Sequence, residues 1–217
     1  MKISDNAAAV QQPVHGKKSS MVTGKKIAIT GMLSAAAFVL MYLEIAVPLM
    51  PSFIKFDFSD LPAIIGSFVI GPVYGVIICL IKNLLHLAFS SSMFVGELSN
   101  FILGAIFVLI AGLIYKKHNS FKRALAGGIT GAVAMGLFSI ISNYFLVYPV
   151  YYTLMPADVI ISSYDMISYS VLHIGHVSSI LQCLIFFNLP FTIIKGLIDV
   201  GIMLVLYKPL VAVMRRL

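Results

Sequence analysis

Apolar residues come in long blocks separated by short polar or basic breaks: 27–47, 61–81, 94–115, 124–150, 167–187 and 189–207. A run of about 20 apolar residues suits a helix that crosses a bilayer. Counted by length alone, the blocks make six spans. The basic residues test that count, because Lys and Arg concentrate on the cytoplasmic flanks of spans. Lys17, Lys18, Lys25 and Lys26 precede the first block. Lys116, Lys117, Lys122 and Arg123 form a tight loop, and Lys208, Arg215 and Arg216 follow the last block. All three groups belong inside, yet the simple count puts Lys116 and Lys117 outside.

Gly71-Pro72 removes the conflict. Proline disfavours a continuing helix and glycine eases a turn. The block divides there into a short helix over 59–70 and a second over 73–89. The far end then needs one crossing fewer. Residues 166–187 carry Ser168, Ser170, His173, His176, Ser178, Ser179 and Gln182, with Asp165 at the edge. Such polarity is expensive in lipid, so this stretch is expected to form an outer loop with short helices.

The expected fold is an all-α integral membrane protein of the cell membrane. It has six transmembrane helices, both termini cytoplasmic, an outer loop after helix one, and a partly helical outer segment before helix six. Residues 1–24 read as a disordered cytoplasmic tail and 25–217 as the membrane domain. All basic residues except Lys55, Lys82 and Lys195 then lie inside, while Glu44, Asp57, Asp60, Glu97, Asp158 and Asp165 lie at or near the outer side. A helix over 59–70 is only about 18 Å long against a bilayer core of about 30 Å, so its neighbours must shield it.

Composition agrees. The chain is 60% hydrophobic and 11% charged, with a mean hydropathy of +1.01. A soluble domain of this size could not hide that much apolar surface. The net charge of +7 is accounted for by cytoplasmic flanks; no aromatic-rich basic patch points to nucleic acid. Cys79 and Cys183 stand far apart in apolar runs and read as buried thiols. The stretch "HGKKSS" lacks the glycine and Ser/Thr positions of a phosphate loop and follows no strand.

The polar residues inside the spans gather at one level. Lys82, Asn83 and His86 lie in the outer half of helix three. Glu97 and Asn100 start helix four, Asn143 and Tyr144 end helix five, and Asn188, Thr192 and Lys195 start helix six. Lys195, Thr192, Asn188, Asn143, Asn100, Glu97 and Asn83 are therefore the candidate substrate-binding residues. Plainer roles exist for some: Asn83 and Asn143 suit hydrogen bonds across helices, Glu97 suits a helix cap, and Lys195 could pair with Asp199 one turn on. Tyr148, Tyr151 and Tyr152 suit an interfacial belt or a pocket wall. His173 and His176, spaced i, i+3, read as part of a packed outer helix, and no metal site or cofactor is expected. A cavity of amides, one ammonium and aromatic rings fits a flat, uncharged, polar-edged molecule. No nucleophile–base pair or paired carboxylates stand out, so an enzyme is not expected.

Three stretches carry a resemblance: "FDFSDLPAIIGSFVIGPVYGVIICLIKNLLHLAF" (56–89), "GELSNFILGAIFVLIAGLIYKK" (96–117) and "LPFTIIKGLID" (189–199). Together the chain resembles, over roughly 25–210, the riboflavin-binding S component of energy-coupling factor (ECF) vitamin transporters. The resemblance implies a six-helix bundle with a long outer loop at 48–58, and capture of riboflavin at the outer face. A transmembrane T subunit and two cytoplasmic ATPases would supply the energy. It also implies that Lys195 and position 192 contact the isoalloxazine ring, with Asn100 and Asn143 nearby. The family often has Asn where this chain has Thr192. Small residues of helix one, here Gly31, Ser34 and Ala35, would pack on the T subunit. The alternatives are a solitary secondary transporter, which would need Asp199 for its coupling ion, and an S component for another vitamin or a flavin nucleotide.

Overall fold

A computed structural model gives the structure of the chain and describes residues 16–51, 54–90, 94–153, 155–173 and 175–214. Helix α1 (Gly16–Tyr42) leads into a two-stranded antiparallel hairpin, β1 (Ile45–Ala46) and β2 (Lys55–Phe56), in which Ile45 faces Phe56 and Ala46 faces Lys55. Helices α2 (Asp60–Val69), α3 (Pro72–His86), α4 (Val95–Lys117) and α5 (Phe121–Ser142) follow. α5 runs on through a π turn, Asn143–Val147, into α6 (Tyr148–Tyr151). After α7 (Ala157–Met166) and its π turn Ile167–Val171, a last long helix is built from α8 (Ile180–Cys183), a π turn Leu184–Asn188 and α9 (Leu189–Val205). α10 (Tyr207–Met214) ends the described chain.

Among the described residues, five helical stretches are long and apolar enough to cross a membrane: Gly24–Tyr42, Pro72–Phe89, Val95–Lys117, Phe121–Tyr151 and Ile180–Val205. The short apolar helix Asp60–Val69 is a sixth element of the bundle. The break at Gly71-Pro72 is where the pattern placed it. Gly71 takes φ +123°, a conformation that favours glycine, and Pro72 opens α3 with its φ already helical. α2 is about 15 Å long, and α1, α3, α4 and α9 pack around it. Most of its residues are buried, so its short length meets protein rather than lipid.

One expectation changes. The stretch 166–187 is not one outer segment: Ile180–Phe187 belongs to the last long helix. Ser178, Ser179 and Gln182 close that helix, whereas Ser168, Ser170, His173 and His176 lie before it, outside the long spans. Ser179 Oγ accepts from the Gln182 backbone N–H, and Gln182 Oε1 accepts from the Ser178 N–H. Of the expected tail, residues 1–15 lie outside the described residues, and 16–24 are already helical in α1. The loop after α1 contains the hairpin, with Lys55 paired to Glu44.

α4, α5 and α9 pack closely. A Cβ added at Gly127 would stand 2.6 Å from the Ala111 carbonyl oxygen, and one at Gly131 2.6 Å from that of Phe107. The two glycines, spaced i, i+4, let the backbones of α4 and α5 touch. One apolar cluster, with Ile64, Phe107, Ala111 and Met135, fills the bundle. A second, with Met50, Tyr148, Tyr164 and Phe187, lies under the hairpin end. Lys116, Lys117, Lys122 and Arg123 flank the turn at the opposite, basic end. Gly131→Val should destabilise the protein by about 1–3 kcal/mol through overpacking. Gly201→Ala, which meets nothing within 4 Å, should be neutral or mildly stabilising. Thermal unfolding in detergent checks both, and equal melting of the two variants would contradict this packing.

Candidate functional site

Four residues before and at the start of α2, Asp57-Phe58-Ser59-Asp60, draw together lysines from two other helices. Lys195 of α9 donates to Asp57 Oδ2 at 2.9 Å and lies 3.6 Å from Asp60 Oδ2. Lys82 of α3 donates to Asp60 Oδ1 and to Ser59 Oγ, each at 2.5 Å. The Ser59 N–H donates to Asp57 Oδ1 at 2.8 Å. All five residues are buried. Asp60 also occupies the first turn of α2, where the helix dipole favours an anion. Burial would push the Asp57 carboxyl up, but Lys195, then Lys82 and the hydrogen bond from Ser59, outweigh it and hold the group well below the usual carboxylate range.

Beside this chain of charges lies a cavity of about 250 Å³. Six of the seven expected residues line it: Lys195, Thr192, Asn188, Asn143, Asn100 and Glu97. Asn188, Thr192 and Lys195 descend one face of the last helix. Two prolines explain how the asparagines reach the same level. Pro149 and Pro190 each sit just after a π turn within a continuing helix. Proline removes a hydrogen bond and crowds the preceding turn, and the wider turn accommodates it. Asn143 begins one such turn and Asn188 ends the other.

Asn83 is not among the lining residues. Its amide turns back to the Cys79 carbonyl at 2.8 Å, the bond within its own helix that i, i+4 spacing allows. Glu97 accepts from Ser90 at 2.8 Å and meets His86 Nδ1 at 3.0 Å, so it is held by neighbours on α3 and the turn after it. The pairing of Lys195 with Asp199 that spacing allowed is replaced by carboxylates across the bundle. An amide dipole cannot neutralise a buried ammonium, and a full counter-charge can. Asp199 is itself fully buried, and neither of its carboxylate oxygens has a hydrogen-bond partner among the described residues.

Asp57 and Asp60, read only as acids of the outer side, are the site residues that sequence reasoning missed. Their signal was the pair Lys82 and Lys195: two lysines deep in apolar helices require acids at the same level. Tyr148 and Tyr151 are cavity walls, while Tyr152 is partly exposed and does not line the cavity. On α1, Gly24, Ala28, Gly31 and Ala35 form an exposed stripe, and Gly31 has nothing within 4 Å of an added Cβ. Ser34 is off that stripe: it is buried against the bundle, its hydroxyl without a partner among the described residues.

A helical bundle with a cavity of mixed polar and apolar lining near one end, and ion pairs rather than catalytic groups at its base, defines a membrane-embedded substrate-binding protein. The sequence profile of the family "ECF transporter, substrate-specific component" matches residues 25–207. The chain belongs to that family. It is 33% identical over 201 residues to the riboflavin transporter RibU of Staphylococcus aureus, covering 93% of this chain and 98% of that protein. It is 36% identical over 177 residues to the riboflavin transporter FmnP of Bacillus subtilis, covering 80% and 85%. Among solved structures, the S component of a bacterial ECF transporter superposes with a TM-score of 0.68 at 33% identity, covering 88% of this chain and 97% of that one.

Removing one partner of the Asp57–Lys195 pair leaves a buried charge uncompensated. Asp57→Asn and Lys195→Met should each lower stability by about 3–5 kcal/mol, and the double variant should recover most of the loss. Thermal melting of the three variants checks this; a double variant as unstable as the sum of the singles would contradict it.

Proposed function

We propose that this chain captures riboflavin in the cavity at its hairpin end and is the substrate-binding subunit of an ATP-driven uptake system. The observation that carries the reading is the row Asn188, Thr192 and Lys195 facing Asn143 and Asn100 across a cavity walled by Tyr148 and Tyr151. Amide, hydroxyl and ammonium donors suit the carbonyls and ring nitrogens of a pyrimidinedione, and aromatic rings suit its faces. Relatives at 33% and 36% identity are named riboflavin transporters. At about 250 Å³ the cavity is just below the roughly 300–1,000 Å³ of ordinary small-molecule sites. Thr192 offers one hydroxyl where an asparagine would offer a two-atom edge, so Lys195 and the remaining amides carry more of the recognition.

The five long spans and the shielded α2 make six membrane segments. The basic end faces the cytoplasm by the distribution of Lys and Arg, which puts both termini inside and the cavity outside. The exposed stripe of α1 that holds Gly31 and Ala35 is the docking face for a transmembrane T subunit that works with two cytoplasmic ATPases. Small residues there permit close helix approach.

Quenching of riboflavin fluorescence by the purified protein tests the ligand. Saturable quenching at micromolar protein is expected, and Lys195→Ala should weaken it about 10- to 100-fold by losing a charge-assisted hydrogen bond. Failure of riboflavin to quench, with another vitamin binding instead, would overturn the substrate. Ala35→Leu tests the stripe: riboflavin binding by the isolated chain should stay within about twofold, because the site is untouched, while uptake with the partner subunits should fall at least about tenfold. Full uptake by that variant would remove the stripe from the interface.

A further inference from the structure

Asn188 enters the cavity with one of its two polar atoms already committed. The Tyr164 hydroxyl donates to Asn188 Oδ1 at 2.7 Å. The Tyr164 oxygen lies 2.6 Å from the Tyr148 hydroxyl. Tyr164 has one proton, and Asn188 Oδ1 can only accept, so the chain runs from Tyr148 through Tyr164 to Asn188. All three residues are buried, Tyr164 completely. Tyr164 stands on α7, packs its ring on Phe187 at 5.2 Å, and does not line the cavity. Burial pushes its phenol well up, so it stays protonated and remains a donor at every physiological pH.

We propose that Tyr164 is a positioning residue for ligand recognition: it holds the Asn188 oxygen away from the cavity, so that Asn188 meets the ligand as a hydrogen-bond donor to a carbonyl or ring nitrogen. This rests on the riboflavin reading and deepens it. A free asparagine can turn its amide over and present either edge. With its oxygen accepting from Tyr164, the amide is fixed in one orientation and its NH2 is the edge turned to the ligand. Lys195, three donors and no acceptor, lies seven residues along the same face, with Thr192 between them. The last helix thus offers the ligand a donor-rich row. A ligand edge rich in acceptors satisfies it, and an edge carrying amino groups in their place leaves buried donors unpaired, which is how a polar site rejects near-isosteres. The inference also gives the segment after α6 a task. α7 is outside the long spans, yet its Tyr164 sets the chemistry of a residue on the last one.

A double-mutant cycle on the full-length chain separates this role from packing. Riboflavin affinity is measured by fluorescence quenching in the parent, Tyr164→Phe, Asn188→Ala and the combination. Tyr164→Phe should weaken binding about five- to tenfold in the parent and less than about twofold when Asn188 is already Ala, because coupled residues are not additive. Equal losses in both backgrounds, or no loss in the parent, would overturn the proposal. Asn188→Asp supplies a second test that leaves Tyr164 intact: the carboxylate still accepts from Tyr164 but has no NH2. It should lose at least about tenfold in affinity, and binding within about twofold of the parent would overturn the donor role. Absence of quenching by the parent itself overturns the riboflavin reading, and this inference with it.

Discussion

Two lysines in the interior of a membrane bundle cannot stand alone. Lys82 and Lys195 come from different helices, and both are answered by the segment Asp57-Phe58-Ser59-Asp60. That segment joins the hairpin to α2, so the hairpin is anchored by charge to α3 and α9 at once. Burying such groups is costly, and the pairing returns the cost only with good geometry and further hydrogen bonds. Here Ser59 supplies both: its hydroxyl takes one lysine and its backbone N–H one carboxylate. The network therefore serves less to add stability than to fix one arrangement. A register shift in α2, α3 or α9 would strand a charge, so the bundle has one low-energy alignment at the level of the cavity.

Irregular helix geometry does the rest of the placing. Pro149 and Pro190 force wide turns into two long helices, and the asparagines of those turns reach the cavity wall. The glycines of α5 act in the other direction, drawing α4 and α5 together at the base of the bundle. The cavity is thus held between a tightly packed lower half and an upper half opened by proline.

Periodicity and charge made much of this legible, and the failures have physical causes. Gly71-Pro72 was readable because a turn there is demanded twice, by backbone preference and by the side on which Lys116 and Lys117 must lie. The end of stretch 166–187 was misread because Ser178, Ser179 and Gln182 look costly in lipid, although they satisfy the open end of a helix. A composition count cannot tell a polar cap from a polar span. Asn83 shows the limit of level as evidence: it lies at the height of the site but bonds within its own helix. Asp57 and Asp60 were visible as acids, but pairing across 138 residues belongs to tertiary structure and leaves no local pattern.

The arrangement constrains how Lys195 can bind anything. Its ammonium has three protons; Asp57 takes one and Asp60 draws a second toward it. What remains for a ligand is a donor whose direction is set by two carboxylates, not a freely swinging cation. A neutral ligand with a carbonyl can take that proton without disturbing the ion pairs. An anionic ligand would compete with Asp57 for the whole ammonium, and Glu97 and Glu44 also line the cavity. Electrostatic repulsion from four carboxylates would then oppose it, with Lys55 already committed to Glu44. In the riboflavin reading, selection of an uncharged guest would follow from the counter-charges around this lysine as much as from the lysine itself.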